Sequence, residues 1–141
     1  MSDLVDVLVV EDNAADVELI QVIIKDYALP YRLHVAEDGE AALAFLRNST
    51  PAPRLMLLDF NMPRLSGPEV LRTIHKEKLP SPVVVMFTSS QAAHDRQAAL
   101  DLGAAAYVVK PILFDDFCRT VMQIFQEHAP APAPPEPGIH L

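Results

Sequence analysis

The stretch VLVVEDN, residues 7–13, decides the fold of this chain. A run of valine and leucine changes abruptly into two carboxylates and an asparagine, which is the pattern of a buried strand whose end emerges at the edge of a sheet. The stretch LMLLD, residues 55–59, repeats the pattern and ends in Asp59. Together the two stretches predict a parallel sheet with carboxylates gathered along one edge.

Short apolar runs alternate with helical patterns along the rest of the chain, which is typical of repeated βα units. Because strand–helix–strand connections are right-handed, the helices should cover both faces and give a single doubly wound α/β domain. The predicted strands are Asp6–Val10, Arg32–Ala36, Leu55–Asp59, Val83–Thr88 and Ala105–Val109. The predicted helices are Ala14–Tyr27, Gly39–Arg47, Pro68–Glu77, Gln91–Leu102 and Phe114–Glu127.

Several helix ends have local explanations in the sequence. Asp38 is a suitable N-cap for the second helix, since its carboxylate can accept a hydrogen bond from a free main-chain N–H. Pro68 suits the first turn of the third helix, and Gly103 is well placed to end the fourth.

The composition of the chain limits the classes of function that it can have. The 141 residues are half apolar, enough for one core, and carry a net charge of −8 without a basic cluster, which argues against direct binding of nucleic acid. Cys118 is the single cysteine, and no apolar run approaches the roughly 20 residues that span a bilayer. We therefore expect a cytoplasmic protein that does not enter the membrane.

The C-terminal segment alternates alanine with proline from Ala129 to Pro137. Such a segment cannot continue a helix and is typical of an extended, solvated tail. We therefore predict a folded domain at residues 1–128 and a disordered tail at residues 129–141.

Chemically interesting side chains follow four of the five predicted strands. Each has an ordinary explanation when taken alone: a helix cap for Asp12, Asn13, Ser89 or Ser90, a turn for Asp59, and a solvated cation for Lys110. Ligands of open α/β sheets, however, bind beyond the carboxyl ends of the strands. The residues expected to meet there are Glu11, Asp12, Asp59, Thr88 and Lys110.

Clustered carboxylates repel one another unless a cation lies among them. Mg²⁺ suits a site with few carboxylates and an incoming phosphate oxygen, and an aspartate can act as a nucleophile toward phosphorus. Lys110 would then pair with the phosphoryl oxygens, and Thr88 would donate a hydrogen bond to one of them. Because no residue stands out as a base for rapid turnover, the pattern favours a stored modification of Asp59 over an enzyme.

At this point the chain resembles the two-component response-regulator receiver domain. The matching motifs are VLVVEDN at residues 7–13, LLDFNMP at 57–63 with Gly67, FTSS at 87–90 and AYVVKP at 106–111. The resemblance covers about residues 4 to 127, and it implies a flavodoxin-like (βα)5 fold with strand order 2-1-3-4-5.

The resemblance also implies roles for individual residues. Asp59 would be the phosphoacceptor, Asp12 and Asp59 direct Mg²⁺ ligands, and Glu11 a ligand through water. The main-chain carbonyl of Asn61 would complete the protein ligands, with Thr88 and Lys110 holding the phosphoryl group. Tyr107 matches the aromatic switch residue that turns inward on activation. Activity would be limited to Mg²⁺-dependent self-phosphorylation and slow autodephosphorylation.

Three further segments are similar to the stand-alone regulators of bacterial and cyanobacterial phytochrome histidine kinases. They are VEDNAADVELI at residues 10–20, DGEAALAFLR at 38–47 and LLDFNMPRLSGPEVL at 57–71. The resemblance implies a phytochrome-type kinase as partner. The alternative is a relay or chemotaxis-type receiver of another kinase.

The last helix predicts the surface for a second partner. Its apolar residues cover about half of the helical circumference, more than the roughly 100° stripe a surface helix needs for its own core. We expect the surplus flank, Phe114, Met122 and Phe125, to lie at a homodimer interface formed by the fourth helix, fifth strand and fifth helix. The simpler alternative is that the proline-rich tail folds back and covers this flank.

Two functions of other classes fit the sequence less well. A haloacid-dehalogenase-like phosphatase normally has a second aspartate two residues after its nucleophile, where this chain has Asn61. A flavin or nucleotide binder needs a phosphate loop after the first strand, but EDNAAD, residues 11–16, is acidic and would repel phosphate.

Overall fold

The computed structural model describes residues 4–49 and 51–130. Five strands alternate with five helices, as the sequence predicts. The strands are β1 Val5–Val10, β2 Tyr31–Ala36, β3 Leu55–Leu58, β4 Val83–Thr88 and β5 Ala106–Val109. The helices are α1 Ala14–Asp26, α2 Gly39–Asn48, α3 Gly67–Glu77, α4 Ala93–Asp101 and α5 Phe114–His128.

All strand pairs are parallel, and the order across the sheet is β2-β1-β3-β4-β5. The predicted flavodoxin-like order is therefore confirmed. The chain first moves from β1 to β2 on one side and then returns to place β3 on the other side. This reversal lies between β1 and β3, which is where open α/β sheets bind their ligands.

Alternating residues of the strands fill a core on each face of the sheet. In β1, Leu8 points into the core beneath α2 and α3, while Val7 and Val9 point into the core beneath α1 and α5. Buried aliphatic side chains on both faces explain why β1 and β3 read as nearly continuous apolar runs. The two cores hold the strand ends, and therefore the site, in place.

The predicted helix ends are mostly confirmed. The Asp38 carboxylate accepts a hydrogen bond from the N–H of Ala41 at 2.8 Å, Pro68 lies in the first turn of α3, and Gly103 follows α4 with a φ of 100°. The fourth helix begins later than predicted, at Ala93 rather than Gln91. Neither Ser89 nor Ser90 caps α4, because the N-cap position is occupied by Ala92. The Ser90 hydroxyl group donates to the Asp95 carboxylate at 2.6 Å and accepts from the N–H of Ala92 at 3.3 Å.

One predicted interface residue is wrong: Phe125 lies in the core and is only 1% exposed. Its ring centroid is 4.5 Å from that of Tyr31, whose hydroxyl group donates to the carbonyl oxygen of Ala129 at 2.8 Å. A helical projection of α5 alone could not show that β2 extends the core beneath this flank. Met122 is half-buried and lines a groove of about 310 Å³ beside Tyr31, whereas Phe114 is 55% exposed as predicted.

The last helix, α5, ends at His128, one residue after its predicted end at Glu127. Ala129 is fully buried and the structure describes Pro130, but the rest of the predicted tail lies outside the described residues. Within residues 4–49 and 51–130, no helix has the length and apolar character needed to cross a membrane.

Candidate functional site

Main-chain hydrogen bonds bring the ends of β1, β3 and β5 to one edge of the sheet. The N–H of Asp59 donates to the carbonyl oxygen of Val10 at 3.1 Å, and the N–H of Lys110 donates to that of Thr88 at 2.7 Å. The strand pairing therefore continues one residue beyond the strands themselves. It fixes Asp59 beside Glu11 and places Lys110 beside the end of β4.

Three of the predicted carboxylates do meet at this edge. Glu11, Asp12 and Asp59 each offer an oxygen atom, and these atoms all lie within 4.8 Å of one another. Glu11 and Asp59 are buried, whereas Asp12 is exposed. Among the described residues this is the only cluster of three or more such ligands, and its all-oxygen donor set fits a hard divalent cation that keeps several waters.

The Lys110 ammonium lies among three carboxylates, and its side chain is 9% exposed. Its Nζ atom is 2.5 Å from Glu11 Oε1, 2.9 Å from Asp16 Oδ2 and 3.9 Å from Asp59 Oδ2. Burial would lower the pKa of this amine, but the hydrogen bonds to Glu11 and Asp16 outweigh burial and raise it. Lys110 is therefore a fixed positive charge at this site.

Glu11 shows the electrostatic cost of gathering acids in one place. Burial raises the pKa of its carboxyl group to about 7, and the negative charge of Asp59 adds to the effect, although Lys110 opposes it. Near neutral pH this carboxyl group is therefore poised between its charged and neutral forms. A divalent cation bound among the three acids would favour the charged form.

The loop after β3 folds tightly around Asp59. The N–H of Asn61 points to Asp59 Oδ1 at 3.4 Å, and the N–H of Gly67 donates to the carbonyl oxygen of Phe60 at 3.0 Å. A Cβ atom on Gly67 would lie 2.6 Å from the main-chain oxygen of Asp59. A glycine is needed here because the loop returns so close to the acidic residue.

Thr88 and Tyr107 form the other side of the site. Thr88 is 1% exposed, and its side-chain oxygen accepts a hydrogen bond from the N–H of Ser90 at 3.3 Å. Tyr107 is buried, and its hydroxyl group donates to the carbonyl oxygen of Ser90 at 2.9 Å. Thr88 and the predicted switch residue Tyr107 are thus joined through Ser90 in the loop before α4, with Tyr107 turned inward.

Sequence reasoning missed Asp16, which contacts Lys110 from the first turn of α1. The available signal was its position in the first helical turn after β1, which places its carboxylate near the same edge of the sheet as Glu11 and Asp12. The sequence also gave no reason to connect the loop after β3 with α2. Arg64 makes that connection through an ion pair with Asp38 at 3.0 Å.

An acidic groove of about 690 Å³ opens beside the carboxylates. Arg64 is the single cationic side chain in the lining of this groove, which also contains several apolar side chains. The lining residues are Glu11, Asp12, Ala14, Val17, Glu18, Gln21, Val35, Glu37, Asp38, Pro63 and Arg64.

Comparison with known proteins identifies the class that this fold and site define. The family model of the response regulator receiver domain matches residues 7–122, and the chain belongs to this family. The haloacid-dehalogenase-like phosphatase and the flavin binder are therefore not supported.

Two response regulators are similar to this chain over most of its length. Response regulator Rcp1 of Synechocystis sp. is 35% identical over 127 residues, which cover 84% of this chain and 84% of that protein. The crystal structure of the Mn²⁺-bound form of Rcp1 superimposes with a TM-score of 0.78 at 34% identity, covering 92% of this chain and 98% of the other. The phosphorylated cyanobacterial phytochrome response regulator RcpA gives a TM-score of 0.82 at 29% identity, covering 94% and 99%.

Proposed function

We propose that this receiver domain accepts a phosphoryl group from a histidine kinase on Asp59. The observation that carries the proposal is the position of Asp59: a carboxylate 7% exposed, beside two further acids and 3.9 Å from a buried ammonium. A cation is needed to offset the repulsion among these carboxylates, and positive charge is needed beside the oxygens of a phosphoryl group. Lys110 supplies positive charge for the phosphoryl oxygens. A metal ion held by the carboxylate oxygens would meet both requirements.

Transfer of the phosphoryl group to Asp59 requires no general base on the receiver. An Asp59 carboxylate oxygen forms a bond to phosphorus while the phosphorus–nitrogen bond of the kinase's phosphohistidine breaks. The electron pair of that bond stays on the imidazole nitrogen, which can then take up a proton from solvent. Lys110 and Thr88 would hold the phosphoryl oxygens. Because no residue stands out as a base for rapid turnover, the proposed activity of the chain is limited to self-phosphorylation and slow autodephosphorylation.

Mg²⁺ is the metal ion we propose for the site. The proposed ligands are Asp12, Asp59 and the main-chain carbonyl of Asn61, with Glu11 acting through water. When bound, the ion neutralises negative charge on the transferred phosphoryl oxygens. The oxygen-only donor set supports this choice, as does the Mn²⁺-bound form of Rcp1, since both ions are hard and prefer oxygen.

A phytochrome-type photoreceptor kinase is the proposed donor. The support is the likeness to RcpA, which is a phytochrome response regulator, and to the bacteriophytochrome response regulator RtBRR, whose chain is 35% identical. The kinase would dock beside α1 and the segment after Lys110, where Val22, Ile112 and Leu113 expose apolar surface. A receiver of a non-phytochrome kinase remains the alternative.

The signal would leave through the surface formed by α4, β5 and α5, where we propose a homodimer. Phe114 and Leu100 expose apolar area on the two helices of this surface, while Phe125 is removed from it by burial. Light scattering over a range of concentrations, with and without beryllofluoride as a phosphoryl analogue, tests the dimer. A monomer at every concentration in both states would overturn it.

The compartment and the lack of direct nucleic-acid binding are also proposals. The single cysteine, Cys118, is buried as a free thiol, which suits the reducing cytoplasm. The net charge of −8 would repel the phosphates of DNA or RNA.

Phosphotransfer from purified, radiolabelled kinases tests the proposed donor. Wild-type protein should take label from a phytochrome-type kinase faster than from an unrelated histidine kinase, and chelation of Mg²⁺ should stop the transfer. Asp59→Asn should take no label. Equal transfer from both kinases would leave the receiver function standing but remove the phytochrome link.

A further inference from the structure

Asp16 is not among the residues proposed to bind the phosphoryl group or the metal ion, yet it makes one of the two shortest contacts of Lys110. The main chain fixes the position of this carboxylate. Asn13 caps α1, and its Oδ1 atom accepts hydrogen bonds from the N–H groups of Ala15 at 3.0 Å and Asp16 at 3.2 Å. The positive end of the helix dipole favours an acid in this first turn.

The contacts of Lys110 form a closed ring. Glu11 Oε1 pairs with the ammonium, and Glu11 Oε2 accepts a hydrogen bond from the N–H of Asn13 at 3.1 Å. Asn13 in turn holds the N–H of Asp16, whose carboxylate pairs with the same ammonium. Both carboxylates that hold the lysine are therefore braced by the loop between β1 and α1.

This ring leaves Asp59 outside hydrogen-bonding distance of the lysine. The distance from Nζ to Asp59 Oδ2 is 3.9 Å, about 1 Å longer than the distance to Asp16 Oδ2. An ammonium group has three donors, and two of them face Glu11 and Asp16. A phosphoryl group on Asp59 must therefore share the charge of Lys110 with Asp16, and it can accept more than the third hydrogen bond only if one of the two ion pairs opens.

We propose that Asp16 is a positioning residue that competes with the phosphoryl group for Lys110 and so opposes the phosphorylated state. This inference rests on the proposed function of Asp59. In the resting protein the ion pair with Asp16 stabilises Lys110 in place. In the phosphorylated protein the ion pair is weakened, and the Asp16 charge also repels the phosphoryl oxygens. Both effects favour the unphosphorylated state.

The affinity of the Mg²⁺-loaded protein for beryllofluoride measures this competition, because the analogue occupies Asp59 without chemical turnover. Asp16→Asn should bind the analogue roughly fivefold more tightly than wild type, the size expected for an ion pair with a partly exposed partner. Asp16→Glu, which keeps the charge and can still reach the flexible lysine side chain, should return the affinity to near the wild-type value.

Asp26→Asn is the matched control, since it makes the same substitution in the same helix away from the site. Asp26 is exposed and makes no ion pair in the described parts of the chain. This variant should bind beryllofluoride as wild type does. Thermal unfolding of each variant followed by circular dichroism should show that all of them are folded, so that an altered affinity is not a loss of structure.

The outcomes separate this inference from the proposed function. If wild type does not bind beryllofluoride with Mg²⁺ present, the proposed function of Asp59 itself fails. If wild type binds but Asp16→Asn has equal or weaker affinity, Asp16 does not compete for Lys110 and the inference is overturned. A fivefold gain shared by Asp26→Asn would also overturn it, because the effect would then come from net charge alone.

Discussion

The two sides of the proposed phosphorylation site are built from different interactions. The ionic side consists of Glu11, Asp12, Asp16, Asp59 and Lys110. Oxygen atoms of Glu11, Asp12 and Asp59 lie within 4.8 Å of one another, and the buried Lys110 ammonium lies 2.5 to 3.9 Å from Glu11, Asp16 and Asp59. The hydrogen-bonded side consists of Thr88, Ser90 and Tyr107, which are joined by neutral hydrogen bonds of 2.9 and 3.3 Å.

We assign the phosphoryl transfer to the ionic side and the structural response to phosphorylation to the hydrogen-bonded side. Removing one member of a buried charge group can cost several kcal/mol, because the remaining charges lose compensation without regaining water. Removing one neutral hydrogen bond costs about 1 kcal/mol. We therefore expect a phosphoryl charge on Asp59 to have a large effect on the ionic side, and we expect the weaker contacts of the hydrogen-bonded side to rearrange in response.

Loss of the lysine should be the largest single effect on the ionic side. Lys110→Met leaves three neighbouring carboxylates without their ammonium, and we expect the free energy of unfolding of the metal-free protein to fall by about 3 kcal/mol. Saturating Mg²⁺ should restore part of the loss. Urea denaturation measures both values, and Lys76→Met, at an exposed position on α3, is the control. Equal losses in the two variants would contradict the ionic description.

A pair of glycine variants tests whether the loop after β3 serves the ionic side specifically. Gly67→Ala places a Cβ 2.6 Å from the main-chain oxygen of Asp59, whereas Gly103→Ala, after α4, forces a side chain onto a main chain with a φ of 100°. Overpacking in the first variant and backbone strain in the second should each cost about 2 kcal/mol. Isothermal titration should then show weakened Mg²⁺ binding in Gly67→Ala alone. Similar binding in both variants would show that Asp59 tolerates a displaced loop.

Metal affinity should depend on pH through Glu11. Because the pKa of this carboxyl group is raised to about 7, Mg²⁺ must displace a proton below that pH, and affinity should fall by up to about tenfold per pH unit. Titrations across neutral pH measure the slope, and Glu11→Gln should flatten it. An unchanged slope in Glu11→Gln would assign the proton to another group.

The same shift has the opposite consequence for the metal-free fold. The folded state binds more protons than the unfolded chain between pH 4.5 and about 7, so this carboxyl group makes the fold more stable as pH is lowered through that window.

The smallest effect is expected on the hydrogen-bonded side. Tyr107→Phe removes the hydrogen bond to the Ser90 carbonyl oxygen and should lower the free energy of unfolding by about 1 kcal/mol without preventing phosphorylation. Hydrogen exchange in α4 should respond less to beryllofluoride in this variant. Tyr31→Phe, which removes a hydrogen bond of 2.8 Å at the far end of the domain, should keep the full response.

Much of the fold and the location of the site could be predicted from sequence because both depend on local patterns. Apolar runs ending in Asp12 or Asp59 specify buried strands and also the residues at their ends, since each chain direction is fixed by the parallel sheet. The N-cap at Asp38 and the positive φ of Gly103 are likewise properties of a few neighbouring residues.

The misses involve contacts between elements distant in sequence. Phe125 looked like surplus apolar surface on α5 because the ring that covers it, Tyr31, belongs to β2. Asp16 looked like an ordinary residue in the first turn of a helix because its partner, Lys110, lies ninety-four positions further along the chain. Periodicity describes one element at a time and carries no information on which side chain of another element lies opposite.

Intact mass spectrometry after incubation with acetyl phosphate tests the central assignment most directly. With Mg²⁺ present, wild-type protein should gain the mass of one phosphoryl group, while Asp59→Asn, and wild type without Mg²⁺, should gain none. If wild type gains no mass, or if Asp59→Asn gains it as readily, Asp59 is not the phosphoacceptor.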